Sequence, residues 1–191
     1  MFDHFIEQLA RSSIDDDNDY KVYRYAFNRL KTILVWCVLL FVVGIVSGSI
    51  KTTLMILLAI MPIRKFGGGY HLKSEIGCFV ISSMMLYAAT RIAMSEYVPL
   101  LVIFFISSIA GFFILIIGTI ESENNPLSKS GRRIFGMITR FFLVLEMLIA
   151  VILFYSGFTI FVRSILLAII ICAFLQVMGI LNRYVASLNQ R

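Results

Sequence analysis

Arg64-Lys65-Phe66-Gly67-Gly68-Gly69-Tyr70-His71-Leu72-Lys73-Ser74-Glu75-Ile76-Gly77-Cys78 is the longest strongly polar break between the first apolar runs and the rest of the chain. It holds one of two histidines and one of three cysteines, with three consecutive glycines just before the histidine. Around it the apolar residues come in runs, at about 32–48, 52–63, 76–95, 98–120, 135–162 and 164–182. Runs instead of stripes are the pattern of membrane-spanning helices, each of which needs about 20 residues. The run at 52–63 is short by that measure. It either reaches further, with Lys51 snorkelling and the helix continuing towards Lys65, or is re-entrant.

Composition agrees. Of the 191 residues 60% are hydrophobic, against roughly 45–50% in ordinary globular chains. Mean hydropathy is +0.92. Three prolines leave little room for structureless linkers, and no internal repeat is visible. The expectation is an all-α polytopic membrane protein with about six membrane segments. It forms one integral-membrane domain over 1–191, amphipathic over 1–31 and membrane-embedded over 32–182.

The N-terminal residues lack the basic flank and cleavage site of a signal peptide, so the N-terminus is expected to be retained. Phe2, Phe5, Ile6 and Leu9 fall at helical spacing, as do Tyr20, Tyr23, Phe27 and Leu30. These read as two amphipathic interfacial helices separated by the acidic run Asp15 to Asp19. They either anchor the chain or form a docking surface for a peptide that also lies on the membrane. With six spans and the N-terminus inside, 14 of the 17 Lys and Arg residues fall inside and only Lys51, Arg91 and Arg163 outside. Cytoplasmic segments carry such an excess. Both termini, the Arg64–Cys78 loop and the loop at 121–133 are therefore expected on the cytoplasmic side. The net charge of +6 suits anionic lipid or an acidic partner. No pattern here reads as a nucleic-acid site.

The polar break carries the chemistry. A cysteine is a nucleophile when a base or positive potential favours its thiolate. His71 and Cys78 are seven residues apart. On one continuous helix that is about 10.5 Å along the axis, whereas proton transfer needs heavy atoms about 2.6–3.2 Å apart. The chain must fold back between them. Ser74 and Glu75 are good helix-start residues, which would leave Cys78 just past a first turn and His71 on the preceding loop. Gly67, Gly68 and Gly69 free that loop to return, and Lys73 and Arg64 add positive potential. Two ligands do not make a zinc site, and the glycines lack the Lys-Ser/Thr of a phosphate loop, so neither metal nor cofactor is expected. Taken singly, such a cysteine packs and such a histidine is solvated; the cluster is what points to chemistry. Cys37 and Cys172 lie in apolar runs and do not form a disulfide framework with Cys78. Arg91, Arg140 and Glu146 sit near or within apolar runs, either paired or snorkelling; Glu146 is placed deepest and is a candidate for function.

The pattern R-x4-G-x-H-x6-C, at Arg64, Gly69, His71 and Cys78, resembles the accessory gene regulator protein B (AgrB) family of Gram-positive bacteria. The likeness includes chain length, the polar N-terminal region and the later segment Glu121 to Arg133, E-x-E-N-N-P-L followed by basic residues. It implies a membrane cysteine endopeptidase of quorum sensing that removes the C-terminal tail of an AgrD-type pro-peptide. Cys78 would then be the nucleophile and His71 its base, with Arg64 and Gly69 also needed for processing. Lys129, Arg132 and Arg133 would meet the acidic tail. The resemblance also implies a homodimer. Ser74, Glu75 and Asn125 are candidates for a third catalytic group. A peptide exporter, or a scaffold presenting the peptide to another protease, would explain the spans but not the glycine-rich His/Cys cluster.

Overall fold

No glycine or proline falls between Asp17 and Val43, and the chain there forms one helix without interruption. This is α1, Asp17–Ser47. The structure, a computed structural model, describes residues 17–69, 75–120 and 128–188. The second amphipathic stretch and the first apolar run, read from sequence as separate elements, are thus one helix: polarity changes along it, but nothing in it breaks a hydrogen-bond ladder. The stretch over residues 1–13 lies outside the described residues. The chain divides into two compact units, residues 1–41 and 42–191, with the boundary inside α1.

In the second unit, α1 stops at Gly48, whose φ of +87° suits glycine. Ser49 then caps α2, Ile50–Gly67, its Oγ accepting from the Thr52 N–H at 3.3 Å. The run at 52–63 is therefore one continuous helix carrying Pro62, not a re-entrant hairpin. Next come α3, Glu75–Met94, and α4, Leu100–Ile117, which begins after Pro99, a residue suited to a helix start. Ser128 caps α5, Lys129–Tyr155, by accepting from the Gly131 N–H at 3.1 Å. Finally α6, Thr159–Leu188, closes the chain. The turn between α5 and α6 lies at Ser156 to Phe158, several residues before the break expected at 163. Arg163 is accordingly not a loop residue but part of α6.

Among the described residues every extended element is helical, and four helices are long and apolar enough to cross a membrane: Gly77–Met94, Leu100–Ile117, Ser130–Tyr155 and Thr159–Val185. The difference from six has a physical cause. The apolar part of α1 is short, Cys37–Ser47. The 18 residues of α2, about 27 Å long, include Lys51, Arg64 and Lys65.

α6 is the centre of the second unit and packs on α2, α3, α4 and α5. Over half of its apolar window is buried, 56% against 22–28% for the other three. The outward faces are apolar too, as in Leu101, Phe104, Phe105, Ile109 and Phe112 of α4. Such a surface suits lipid and not water. With lipid outside, helix association rests on close packing and hydrogen bonds, not on hydrophobic burial. A ladder of hydroxyls does this where α1, α2 and α3 meet. Ser47 Oγ lies 3.3 Å from Thr53 Oγ1, which lies 3.2 Å from Thr90 Oγ1. All three side chains are buried.

Candidate active site at a glycine-lined helix junction

The last carbonyls of a helix have no partner within it and must find one elsewhere. At the end of α2 they find it in the segment that leaves α4. Thr119 Oγ1 donates to Phe66 O at 2.9 Å and the Ile120 N–H donates to Gly67 O at 2.9 Å. Gly68 and Ile120 thereby pair in parallel, outside any sheet. Gln176 of α6 closes the arrangement: its Nε2 donates to Gly67 O and to Gly118 O, both at 3.2 Å. Phe66 fixes the end of α2 sideways, stacking on Phe142 and meeting Phe135 edge-on, each with ring centroids 5.8 Å apart.

The glycines are required by this closeness. Gly68 has φ +69°, and a methyl group there would run into the Ile120 carbonyl. A methyl on Gly67 would stand 2.8 Å from Gln176 Nε2 and 3.2 Å from Thr139 Cγ2. Gly69, with φ +121°, lies against Arg64 Nη1 and the Leu175 carbonyl.

Arg64 turns back over this ribbon, and its Nη1 donates to Gly68 O at 3.0 Å. Its guanidinium is also within electrostatic range of the Cys78 and Cys172 thiols. Cys78 is the fourth residue of α3 and is half-buried. His71 and Ser74 lie outside the described residues, as does Asn125. Glu75 opens α3.

The basic segment begins at the same junction. Gly136, two turns into α5, packs on Gly118 and Thr119. Lys129 is the first residue of α5, and Arg132 and Arg133 follow with exposed side chains. Cations at a helix N-terminus oppose its dipole, typically by about 0.3–1 kcal/mol each. Helix stability therefore does not explain them.

Three residues from apolar runs resolve differently. Arg140 Nε donates to Leu115 O at 2.9 Å, closing the end of α4. Cys172 is buried, its thiol 3.9 Å from Ile60 O. Glu146 is 6% exposed, within electrostatic range of Cys172, and both its carboxyl oxygens lack a hydrogen-bond partner among the described residues. Sequence reasoning does not single out Gln176. A polar residue in an apolar run marks a functional position, but not which carbonyls it will serve. A cavity of about 450 Å³ between α4, α5 and α6 is lined by residues such as Phe104, Met147 and Leu166, and has no group fit for acyl chemistry.

The family model of accessory gene regulator B matches residues 2–178. The chain belongs to this family. Membership gives it a role in processing the peptide of agr quorum sensing, together with an AgrD-type pro-peptide. No curated protein and no solved structure matches the chain. Within the AgrB frame, Gly69 lies against Arg64, and Cys78 is within electrostatic range of the same guanidinium.

Proposed function

We propose that the chain is a membrane cysteine endopeptidase that cleaves the C-terminal tail from an AgrD-type pro-peptide, with Cys78 as nucleophile and His71 as base. The observation that carries it is the setting of Cys78: half-buried, on α3, within electrostatic range of the Arg64 charge. Family membership adds the substrate class.

The chemistry follows from those groups. His71 takes the thiol proton and the Cys78 sulfur attacks the scissile carbonyl carbon. The tetrahedral adduct collapses, the C–N bond breaks, and His71 returns the proton to the leaving amine. The tail departs and an acyl thioester remains on Cys78. A thiol within the peptide then attacks that thioester, passes its proton to the departing Cys78 sulfur, and closes a thiolactone. Exchange of one thioester for another costs little, which suits a cysteine enzyme; a peptide hydroxyl would give a lactone by a steeper step. Forming a thioester from an amide is uphill, so loss of the tail draws the sequence forward. A site at the lipid boundary limits hydrolysis of the intermediate.

Lys129, Arg132 and Arg133 are proposed to hold the acidic tail, with Arg64 and Gly69 shaping the site. The chain works as a homodimer in anionic lipid, with six membrane segments and with both termini and the site facing the cytoplasm. The distribution of Lys and Arg supports that topology.

The test is cleavage of a tail-bearing pro-peptide by purified protein in liposomes. Cys78→Ser and His71→Ala should each lower the rate by at least about 10³-fold. Cys37→Ala and Cys172→Ala should cleave normally. Retained cleavage in Cys78→Ser would remove the enzyme reading, and silence of the pure wild type would favour a scaffold. Changing Lys129, Arg132 and Arg133 together to Gln should weaken peptide binding about tenfold at low salt, at roughly 0.5 kcal/mol per charge. Equal affinities at low ionic strength would rule out the tail contact.

A further inference from the structure

We propose that Glu146 is a proton-binding site inside the bundle: its carboxyl holds a proton while α5 is seated against α2 and α6. The site takes no part in the peptide chemistry above and stands on the packing of α5. Buried residues recur along that helix at Gly136, Thr139, Leu143, Glu146 and Ala150. Steps of three and four keep one face turned inward, so Glu146 occupies a core position. The span runs Ser130–Tyr155, which puts Glu146 about 24 Å along the axis from one end and about 13 Å from the other. A side chain of its length cannot reach water over that distance, so the group does not snorkel.

Nor is it paired among the described residues, since neither carboxyl oxygen has a hydrogen-bond partner there. The groups around it are engaged elsewhere. Cys172 of α6, the titratable group within electrostatic range, directs its thiol to Ile60 O at 3.9 Å. Arg64, at the end of α2, reaches Cys172 and donates to Gly68 O. Lys51 and Lys65 of α2 are exposed, and α4 contains no titratable residue. Arg163, Arg183 and Tyr184 of α6 stand at least about 13 Å along the axis from Cys172. On α5 itself, Arg140 donates to Leu115 O, Thr139 donates to Phe135 O, and Arg132 and Arg133 are exposed. A bare carboxylate in such an interior gives up its hydration for nothing, so it needs a cation. A metal ion needs several donors, and among the described residues no three His, Cys, Asp or Glu side chains come together to supply them. A proton needs one oxygen. Proton binding is an established use of acids within membrane segments.

The test compares the full-length protein in liposomes with Glu146→Gln, which has the same shape and cannot ionise. At neutral pH the wild type should show the infrared carbonyl band of an un-ionised carboxylic acid, and the variant should lack that band. Identical spectra overturn the inference, because the group is then charged and partnered. Adding Na⁺ at constant ionic strength should leave the band intact; its loss would assign the oxygens to a metal ion and overturn the proton. The second readout is unfolding in mixed micelles. A proton held by the folded bundle and released by the unfolded chain makes unfolding easier as pH rises. From about pH 6 to about pH 7 the wild-type unfolding constant, divided by that of Glu146→Gln at the same pH, should rise about tenfold. The ratio cancels the histidines, which both proteins carry. A constant ratio overturns the inference. Should Glu146→Gln not fold, Glu146→Met, apolar and similar in length, carries both readouts. Failure of both neutral variants to fold would mean that the negative charge itself is required, and overturns the inference too. Neither readout uses cleavage, so the outcome at Cys78 leaves this site untouched.

Discussion

The second unit closes its two ends on the same type of acceptor, backbone carbonyls, with different donors. At one end, α2 and α4 finish on glycines whose carbonyls and N–H groups meet directly, with a buried amide between them. At the other, the turn between α3 and α4 is held by a long side chain: Arg163 donates from Nη1 to Ser95 O and from Nη2 to Val98 O, the latter at 2.8 Å. Both ends have a glycine with positive φ, Gly68 at +69° and Gly157 at +80°. Yet a methyl group on Gly68 strikes a carbonyl, while one on Gly157 meets nothing within 4 Å. Backbone strain is common to both; contact is not. A guanidinium on a flexible stem absorbs small errors in the chain it holds, and backbone against backbone does not. Rigidity is concentrated at the end that carries Arg64, the glycine triplet and the approach to Cys78.

Gly68→Ala should have the largest effect on stability. It adds the left-handed penalty to a collision with Ile120, together roughly 3 kcal/mol, measurable by unfolding in mixed micelles. A loss no greater than that of Gly157→Ala would erase the distinction between the two ends. Arg163→Ala comes next, at about 2 kcal/mol for two charge-assisted bonds. Arg163→Lys should recover only part of it, since one ammonium cannot span both carbonyls. Cleavage by the folded Arg163→Ala protein should be close to normal; a large fall in kcat would mean that the far end also sets the site. Gly157→Ala should be the mildest, about 1 kcal/mol from φ alone, with no change in cleavage.

Much of this could be read from residue order. The apolar run expected over 76–95 is found as the helix α3, described over Glu75–Met94. The spacing of the polar break and of the basic segment identified the two stretches whose roots meet at Gly68 and Ile120. What could not be read depends on contacts. The division between α5 and α6 is hidden because apolar residues flank Ser156 and Gly157 on both sides, so two helices merge into one run. Arg163 looked like a loop charge because an arginine near a run's edge usually is one; only the position of Ser95 and Val98 shows it folded inward. α1 misled in the opposite sense, since a change from amphipathic to apolar marks a change of environment and not the end of a helix. Gln176 was not singled out at all; its partners are 109 and 58 positions away.

The parallel sense of the Gly68–Ile120 pair has a consequence for how such a protein can diversify. At Gly68 and Ile120 two segments lie side by side and run in the same direction, spaced by one paired backbone, about 4.8 Å. Either segment can lengthen, shorten or change its chemistry beyond the root without re-aiming its neighbour. The two can then vary on separate tracks from one shared origin.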